Sequence, residues 1–115
     1  VRGQTTYLPA RAICQTLGAQ LVWFDTRAEL QFVNNLAISQ GATTYWIGLN
    51  QIFGAWVWPT GRPTTFFNWR PSQPDRCCGR NVTCVLANFR NRVGQWDDAS
   101  CESVRGNPQG YVCKM

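Results

Sequence analysis

The stretch Trp46-Ile47-Gly48-Leu49 marks the point at which the sequence changes from a helical to a β pattern. Upstream of it, apolar residues recur at helical spacing. Downstream, short apolar segments are separated by Gly, Pro and Asn, which is typical of strands joined by turns. Helices followed by strands, rather than alternating with them, predict an α+β fold.

Two helices are predicted upstream of this stretch. Pro9 can occupy the first turn of a helix, and Gly18 is a natural C-terminal stop for it. Thr26 and Glu29 form a capping box at the start of a second helix, whose apolar face continues to Gly41.

Short strands are predicted before and after the second helix. They are the segments 21–24, 46–49, 56–58, 84–88, 94–97 and 111–114. The stretch 59–80 contains four prolines and little periodicity. Loops of this length in a compact domain are usually functional, so we predict an ordered, functional loop.

The length and composition predict one globular domain over residues 1–115, either a mature domain or a domain fragment. Six cysteines indicate an oxidising compartment, so we expect a secreted protein or the ectodomain of a cell-surface protein. No apolar run approaches the ~20 residues of a membrane span. The sequence has no histidine, which argues against a zinc site and, because the commonest general base is missing, against an enzyme.

The net charge of +5 comes from ten Arg and one Lys. These residues are scattered and form no basic helix or stripe, so nucleic acid is not expected as a partner. Guanidinium groups bind sulfated or sialylated glycans in bidentate fashion. Solubility alone explains the charge equally well.

Half of the six acidic residues lie in two short clusters, Gln73-Pro74-Asp75 and Trp96-Asp97-Asp98. Three carboxylates and a side-chain amide are oxygen donors of the kind that calcium prefers. The alternatives are ordinary turn chemistry around Pro74 and a solvated strand end at Asp97 and Asp98. The clusters are far apart in the sequence, so the fold must bring them together if they form one site.

Several stretches, taken in order, resemble motifs of the C-type lectin domain, and the resemblance covers essentially the whole chain. They are Trp46-Ile47-Gly48-Leu49 (similar to the WIGL motif), Trp56-Val57-Trp58 (the next hairpin), Asn68-Trp69 before Gln73-Pro74-Asp75 (the approach to the sugar-binding loop) and Gln95-Trp96-Asp97-Asp98 before Cys101 (the WND strand, with Asp in place of Asn). The resemblance implies the C-type lectin fold, with two helices, two small antiparallel sheets and a long ordered loop region. It also implies a short-form carbohydrate-recognition domain with the disulfides Cys14–Cys113 and Cys84–Cys101.

The resemblance further implies that Gln73, Asp75, Asp97 and Asp98 bind a Ca²⁺ ion. The same side chains would hydrogen-bond the sugar hydroxyls that the ion holds. In this family QPD accompanies galactose-type sugars, including N-acetylgalactosamine, whereas EPN accompanies mannose-type sugars. We therefore expect a galactose-type lectin, with mannose-type specificity as an alternative because pocket shape also matters.

Two positions depart from the family pattern. Val82 stands where the family has a glutamate ligand, and Asp97 stands in place of an asparagine, so the number of carboxylates is unchanged. One coordination position would pass to water, so we expect calcium to bind with weakened affinity. After the QPD motif the chain carries Arg76 and Arg80 instead of an aromatic residue, so Arg76 is a candidate sugar contact that favours acidic or sulfated glycans. Alternatives are recognition of protein, or of glycan without calcium, and, third, a structural, mineral- or ice-associated role.

Cys77 and Cys78 lie outside the family's disulfide framework. They can bond to a second chain, which would give a disulfide-linked homodimer with two sugar sites, close a vicinal disulfide, or remain free thiols. Asn81-Val82-Thr83 matches the N-glycosylation pattern, so Asn81 is a predicted glycosylation site near the proposed sugar site.

Overall fold

The computed structural model describes residues 6–52, 54–61, 64, 66–74, 82–89, 93–101 and 110–114. The predictions for Asp75, Arg76, Cys77, Cys78 and Asn81 lie outside these residues. The described residues form two helices and seven strands. These are α1 (Tyr7–Thr16), β1 (Gln20–Leu21), α2 (Arg27–Ser39), β2 (Tyr45–Ile52), β3 (Ala55–Val57), β4 (Cys84–Ala87), β5 (Trp96–Ala99), β6 (Gly110–Tyr111) and β7 (Cys113–Lys114).

Within this described part, the strands form two sheets. In the smaller sheet, β1 pairs with β7 in antiparallel orientation. In the larger sheet, the strand order is β3-β2-β4-β5, and β6 also pairs with β2. Only the β2–β6 pairing is parallel among these ladders. The predicted α+β class, with two helices and small antiparallel sheets, is confirmed.

Helix α1 begins at Tyr7 and places Pro9 in its first turn, as predicted. Proline fits there because the first backbone N–H groups of a helix have no carbonyl partner within it. The helix ends before Gly18, whose φ of 72° lies in the left-handed region that glycine adopts without strain. On the buried side, the Tyr7 ring meets the Trp46 ring edge to face at 5.7 Å, which docks α1 on β2.

Helix α2 begins with half of the predicted capping box. The Thr26 hydroxyl oxygen accepts a hydrogen bond from the Glu29 backbone N–H at 3.1 Å. The Glu29 carboxylate accepts from the backbone N–H of Asp25 at 2.9 Å, one residue before the position that a complete box requires. Its other oxygen accepts from the Lys114 ammonium group on β7. The Glu29 side chain therefore ties the chain end to the helix start.

Every predicted strand differs from the observed bounds by at least one residue, and two of these differences are informative. Leu21, Val22 and Phe24 are buried, but the strand covers only Gln20–Leu21, although the Val22 backbone N–H still donates to the Val112 carbonyl at 2.9 Å. The predicted strand 94–97 begins two residues later, at Trp96. Gly94, with a φ of 85°, belongs to the preceding turn.

The prediction of a single C-terminal strand over 111–114 is wrong in one respect. Tyr111 pairs with Trp46 on β2, whereas Cys113 pairs with Leu21 on β1. The last residues therefore join both sheets. Sequence periodicity cannot reveal this division, because it depends on which partner strand each residue meets.

Gly48 is required by close packing in the stretch where the β half of the chain begins. A Cβ atom at this position would lie 2.5 Å from Pro59 Cγ and 2.7 Å from the Leu21 carbonyl oxygen. The Gly48 backbone N–H donates to the Val22 carbonyl at 2.8 Å. Only glycine lets β2 approach the chain around β1 this closely.

Among the described residues, the core consists of two apolar clusters, to which alternate residues of β4 contribute. Alternation along a strand sends successive side chains to opposite faces, so the clusters lie on the two faces of the large sheet. Trp96 is central to the aromatic part of one cluster. Its ring centroid lies 5.8–6.1 Å from those of Phe24, Trp58, Phe66 and Trp69.

Both disulfides implied by the family resemblance are present. Cys14–Cys113 joins α1 to β7 across 99 residues, and Cys84–Cys101 joins β4 to the end of β5 across 17 residues. Chain-entropy estimates give about 4.7 kcal/mol for a closed loop of about 100 residues and about 3 kcal/mol for one of about 15. None of the helices in the described part of the chain is long and apolar enough to cross a bilayer.

Candidate carbohydrate-binding site

The segment 66–74, which leads into the first acidic cluster, is attached to β5, which carries the second. The Trp96 backbone N–H donates to the Asn68 carbonyl at 2.9 Å, and the Arg70 backbone N–H donates to the Trp96 carbonyl at 2.9 Å. Trp69 and Trp96 form a parallel bridge. β5 is the last strand in the order β3-β2-β4-β5 of the larger sheet, so the segment covers part of the open edge of this strand. The fold thereby brings the neighbourhoods of the two clusters together.

Aromatic packing anchors the attached segment. The Trp69 ring lies 5.9 Å from the Trp96 ring and 5.1 Å from the Trp56 ring, edge to face in both cases. Phe67, which is 44% exposed, stacks on Trp69 at 6.3 Å. Aromatic pairs of this geometry contribute about 0.5–1.5 kcal/mol each beyond their buried area. The backbone of the segment is therefore well supported at Trp69.

Asn68 adds polar contacts to the same anchor. Its side-chain amide donates to the Gly94 carbonyl at 2.8 Å. Its side-chain oxygen accepts from Arg27 on α2 at 3.3 Å, and the Arg27 guanidinium also lies 5.6 Å from the centre of the Phe66 ring. The segment 66–74 is thus tied to a turn and to a helix as well as to β5.

Asp97 and Asp98 are both buried on β5, each with 5% of its surface exposed. In the antiparallel register, Asp97 lies opposite Leu86 and Asp98 opposite Val85. Carboxylates are rarely buried unless they are paired or bind a metal, because removing the charge from water is costly. The alternative of a solvated strand end is therefore wrong for these two residues.

Arg70 forms a bidentate ion pair with Asp97. The Nε group donates to Oδ1 at 2.9 Å and the Nη2 group donates to Oδ2 at 2.6 Å. The Asp97 side chain is 6% exposed and the Arg70 side chain 26% exposed. Both oxygens of a predicted calcium ligand are thus already bound by a protein cation. Sequence analysis did not single out Arg70, and its place among ten arginines carried no signal.

Gln73 lies three residues beyond Arg70 and is half-buried. Its backbone N–H donates to the Arg70 carbonyl at 2.9 Å, which closes a turn in which Ser72 has a φ of 72°. The Gln73–Pro74 peptide bond is cis. The turn keeps the Gln73 backbone hydrogen-bonded to Arg70, which is the residue that binds Asp97. Asp75, the next predicted ligand, lies beyond the described segment.

The predicted donors match calcium in chemistry. Carboxylate and amide oxygens, such as those of Gln73, Asp97 and Asp98, are hard ligands that suit Ca²⁺. Among the described residues, no group of three or more His, Cys, Asp or Glu side chains is placed to hold a metal ion. Val82, where the family has a glutamate, is buried and offers no oxygen. The donor set fits the ion provided that Asp97 becomes available to it.

A separate cleft of about 300 Å³ lies between α1 and the β2–β3 hairpin. Its lining includes Tyr7, Arg11, Asn50 and Trp58, and none of the predicted ligand residues. Burial raises the pKa of the Tyr7 hydroxyl, and the opposing effects of the Arg11 charge and a hydrogen bond with Asn50 do not cancel it. The phenol therefore stays neutral at physiological pH. Nothing in the lining links this cleft to the acidic clusters.

A sequence model of the lectin C-type domain matches residues 3–115. This chain belongs to the C-type lectin domain family. It is 36% identical over 103 residues to lymphocyte antigen 75 of Mus musculus, a match that covers 88% of the chain and 6% of that protein. It is 31% identical over 116 residues to the lectin BRA-3 of Megabalanus rosa, which covers 97% of the chain and 66% of that lectin.

Solved structures agree with the sequence comparison. The cow C-type carbohydrate-recognition domain of CD23, crystallised in the presence of a GlcNAc2Man3 oligosaccharide, is similar with a TM-score of 0.80 at 30% identity, covering 97% of this chain and 81% of that chain. The C-type lectin fold and the resemblance stated from the sequence are confirmed. The chain is a C-type lectin carbohydrate-recognition domain, and its family and structural neighbours are non-enzymatic. Membership of this family confirms the prediction that the chain is not an enzyme.

Proposed function

We propose that this C-type lectin domain, acting as one unit over residues 1–115, binds galactose-type glycans through a calcium ion. Gln73, Asp75, Asp97 and Asp98 would hold the ion and contact the sugar. The attachment of segment 66–74 to β5 by two backbone hydrogen bonds of 2.9 Å each supports the proposal, because it fixes the segment that leads into the first acidic cluster beside the strand that carries Asp97 and Asp98. The structural neighbour crystallised with an oligosaccharide supports a glycan as the ligand class.

The galactose preference rests on which groups meet the sugar. Gln73 offers an amide oxygen to the ion and an N–H to a hydroxyl, whereas Asp75 offers only acceptors. This order of donor and acceptor is that of the QPD variant of the family. Mannose-type specificity is the alternative, and the oligosaccharide present with the cow CD23 domain contains mannose. Arg76 would add a preference for acidic or sulfated sugars by bidentate pairing.

The other features of this proposal concern the setting of the domain. Two disulfides in the described residues fit an extracellular location, either secreted or on the ectodomain of a membrane protein. Asn81 would carry an N-linked glycan. Cys77 and Cys78 would link two chains, which would double the number of sugar sites and raise avidity for clustered glycans. Mobility on non-reducing gels distinguishes this arrangement from a vicinal disulfide.

Recognition of glycan or protein without calcium is the second candidate. The ion pair between Arg70 and Asp97 favours it, because the buried carboxylate already has a cation. Val82 favours it too, because one family ligand is missing. A domain of this kind would present the same loop surface to its partner, with the metal replaced by a guanidinium group.

A glycan array tests these candidates directly. Binding to galactose-type glycans that disappears with a calcium chelator supports the first candidate, and unchanged binding supports the second. Asp98→Asn removes a predicted ligand charge while retaining the shape of the buried side chain, and we expect it to abolish calcium-dependent binding. Asp25→Asn is the matched control, because Asp25 is exposed and lies at the start of α2. Retained calcium-dependent binding in Asp98→Asn would contradict the assigned role of Asp98.

A further inference from the structure

We propose that Arg70 is an internal competitor of calcium at Asp97, so that the ion binds only when the guanidinium releases the carboxylate. This inference rests on the proposed calcium site and adds a residue that sets its affinity. It is drawn from the ion pair itself, which neither the sequence motifs nor the comparisons indicate.

Arg70 and a calcium ion would require the same atoms of Asp97. Arg70 donates to both carboxylate oxygens of Asp97, at 2.9 Å and 2.6 Å. A carboxylate offers about four lone-pair directions, and the bidentate guanidinium uses the pair that a metal bound to both oxygens would also use. Calcium can therefore bind both oxygens of Asp97 in this way only if at least one of these hydrogen bonds is broken.

The carboxylate is held in place, whereas the guanidinium can move. Asp97 lies in the middle of β5, is paired with Leu86 on β4, and its side chain is 6% exposed. The Arg70 side chain is 26% exposed, so it has a path to water. Exchange of cations at Asp97 would thus proceed by rotation of the long arginine side chain.

The backbone of Arg70 would stay in place during such an exchange. Its N–H is bound to the Trp96 carbonyl at 2.9 Å, and its carbonyl accepts from the Gln73 N–H at 2.9 Å. The neighbouring Trp69 ring is packed against Trp96 at 5.9 Å. A displaced guanidinium therefore remains close to the site. Its positive charge would continue to oppose the bound ion, and so Arg70 weakens calcium binding in both positions.

Arg70 also stabilises Asp97 in the metal-free state. A buried carboxylate without a partner is strongly unfavourable, whereas one that is paired and fully hydrogen-bonded is tolerated. Arg70 supplies this partner, so the domain does not depend on calcium to keep Asp97 buried. Calcium and Arg70 would then alternate as the cation of Asp97, and the loop surface would change its charge at each exchange.

Calcium titration of Arg70 variants tests the inference without any sugar. Isothermal calorimetry measures the calcium dissociation constant, and tryptophan-sensitised terbium luminescence gives a second readout for metal near Trp69 and Trp96. We expect Arg70→Gln to lower the dissociation constant about tenfold, within the range of measured site–site couplings. Arg70→Lys, which keeps the charge but loses the bidentate fork, should fall between Arg70→Gln and the wild type.

Two control variants separate competition at Asp97 from a general charge effect. Arg11→Gln removes one positive charge from the exposed side of α1 and should leave the dissociation constant unchanged within twofold. Arg27→Gln removes a charge that contacts the same segment through Asn68 but does not touch Asp97, and its effect should be much smaller than that of Arg70→Gln. Circular dichroism in the near ultraviolet checks that each variant is folded. If Arg70→Gln does not fold, Arg70→Lys carries the test.

The outcomes distinguish the inference from the proposed function. Equal dissociation constants for the wild type and folded Arg70 variants would overturn the competition while leaving the calcium site intact. No metal binding at millimolar calcium by any protein would overturn the site, and the inference with it. Calcium binding by Arg70→Gln alone would support the competition and assign calcium-free recognition to the wild type.

Discussion

Two ion pairs attach distant parts of this chain to their neighbours, and they differ in burial. At the chain end, Lys114 binds Glu29 at the start of α2, and the two side chains are 24% and 29% exposed. At the loop, Arg70 binds Asp97, and the aspartate side chain is only 6% exposed. The first pair is in contact with water on both sides. The second holds a buried carboxylate that needs a cation.

The two ion pairs also differ in the other contacts that hold their segments in place. The chain end is also held by the Cys14–Cys113 disulfide, and the Lys114 ammonium lies 4.2 Å from the centre of the Trp23 ring. The loop segment is held to β5 by hydrogen bonds and aromatic contacts. The chain end can tolerate loss of its ion pair, because a partly exposed pair adds little to a covalent closure. The loop pair holds a buried carboxylate, so its loss should cost more.

Removal of the Cys14–Cys113 bond should produce the largest loss of stability. We expect Cys14→Ser with Cys113→Ser to lower the free energy of unfolding by about 4–5 kcal/mol, because the bond closes a loop of nearly the whole chain. Urea denaturation under non-reducing conditions measures the change. A loss no larger than that caused by neutralising Glu29 would show that the chain end relies on noncovalent contacts instead.

Loss of the Asp97 carboxylate should have the next largest effect. Removing one partner of a buried pair usually costs about 3–5 kcal/mol. Because Arg70 is partly exposed and can turn to water, we expect a smaller loss of about 2 kcal/mol for Asp97→Ala, measured by urea denaturation with chelator present. Asp97→Asn retains a hydrogen-bond acceptor and is the matched control, with a smaller expected loss. Equal stabilities for Asp97→Ala and the wild type would contradict a structural role for the pair.

Neutralisation of Glu29 should have the smallest effect and a defined pH dependence. Burial raises the pKa of Glu29. The hydrogen bonds from Lys114 and Asp25 and the Lys114 charge together lower it by more, so the pKa lies below its usual value of 4.5. The stabilisation is therefore present above pH 4.5 and is lost as the pH falls through the lower folded-state pKa.

For Glu29→Gln we expect a loss below about 1 kcal/mol at neutral pH, because both side chains of the pair are partly exposed to water. Denaturation curves of the variant and the wild type should converge as the pH is lowered through the acidic range. A difference that stays constant down to strongly acidic pH would contradict the electrostatic origin of the effect.

The local elements of the fold were predictable because their signals are local. The Thr26 cap, the position of Pro9 in the first turn and the stop at Gly18 each depend on residues within one helical turn. The strand bounds were less accurate where a turn depends on distant partners. The side chain of Asn88, which has a φ of 66°, accepts from the Gly94 N–H at 2.7 Å and donates to the Asn34 side-chain oxygen on α2 at 2.6 Å, so the turn before β5 is held in part by a residue 54 positions away.

The sequence by itself determined the fold class, the two disulfides through family resemblance, and the composition of the acidic clusters. Only the tertiary structure decided that the C-terminal residues divide between two sheets and that Arg70 takes Asp97 as its partner across 27 residues. The physical reason is the range of the interactions. Caps and alternation act within a few residues, whereas the partner of a buried charge is set by which segments pack together.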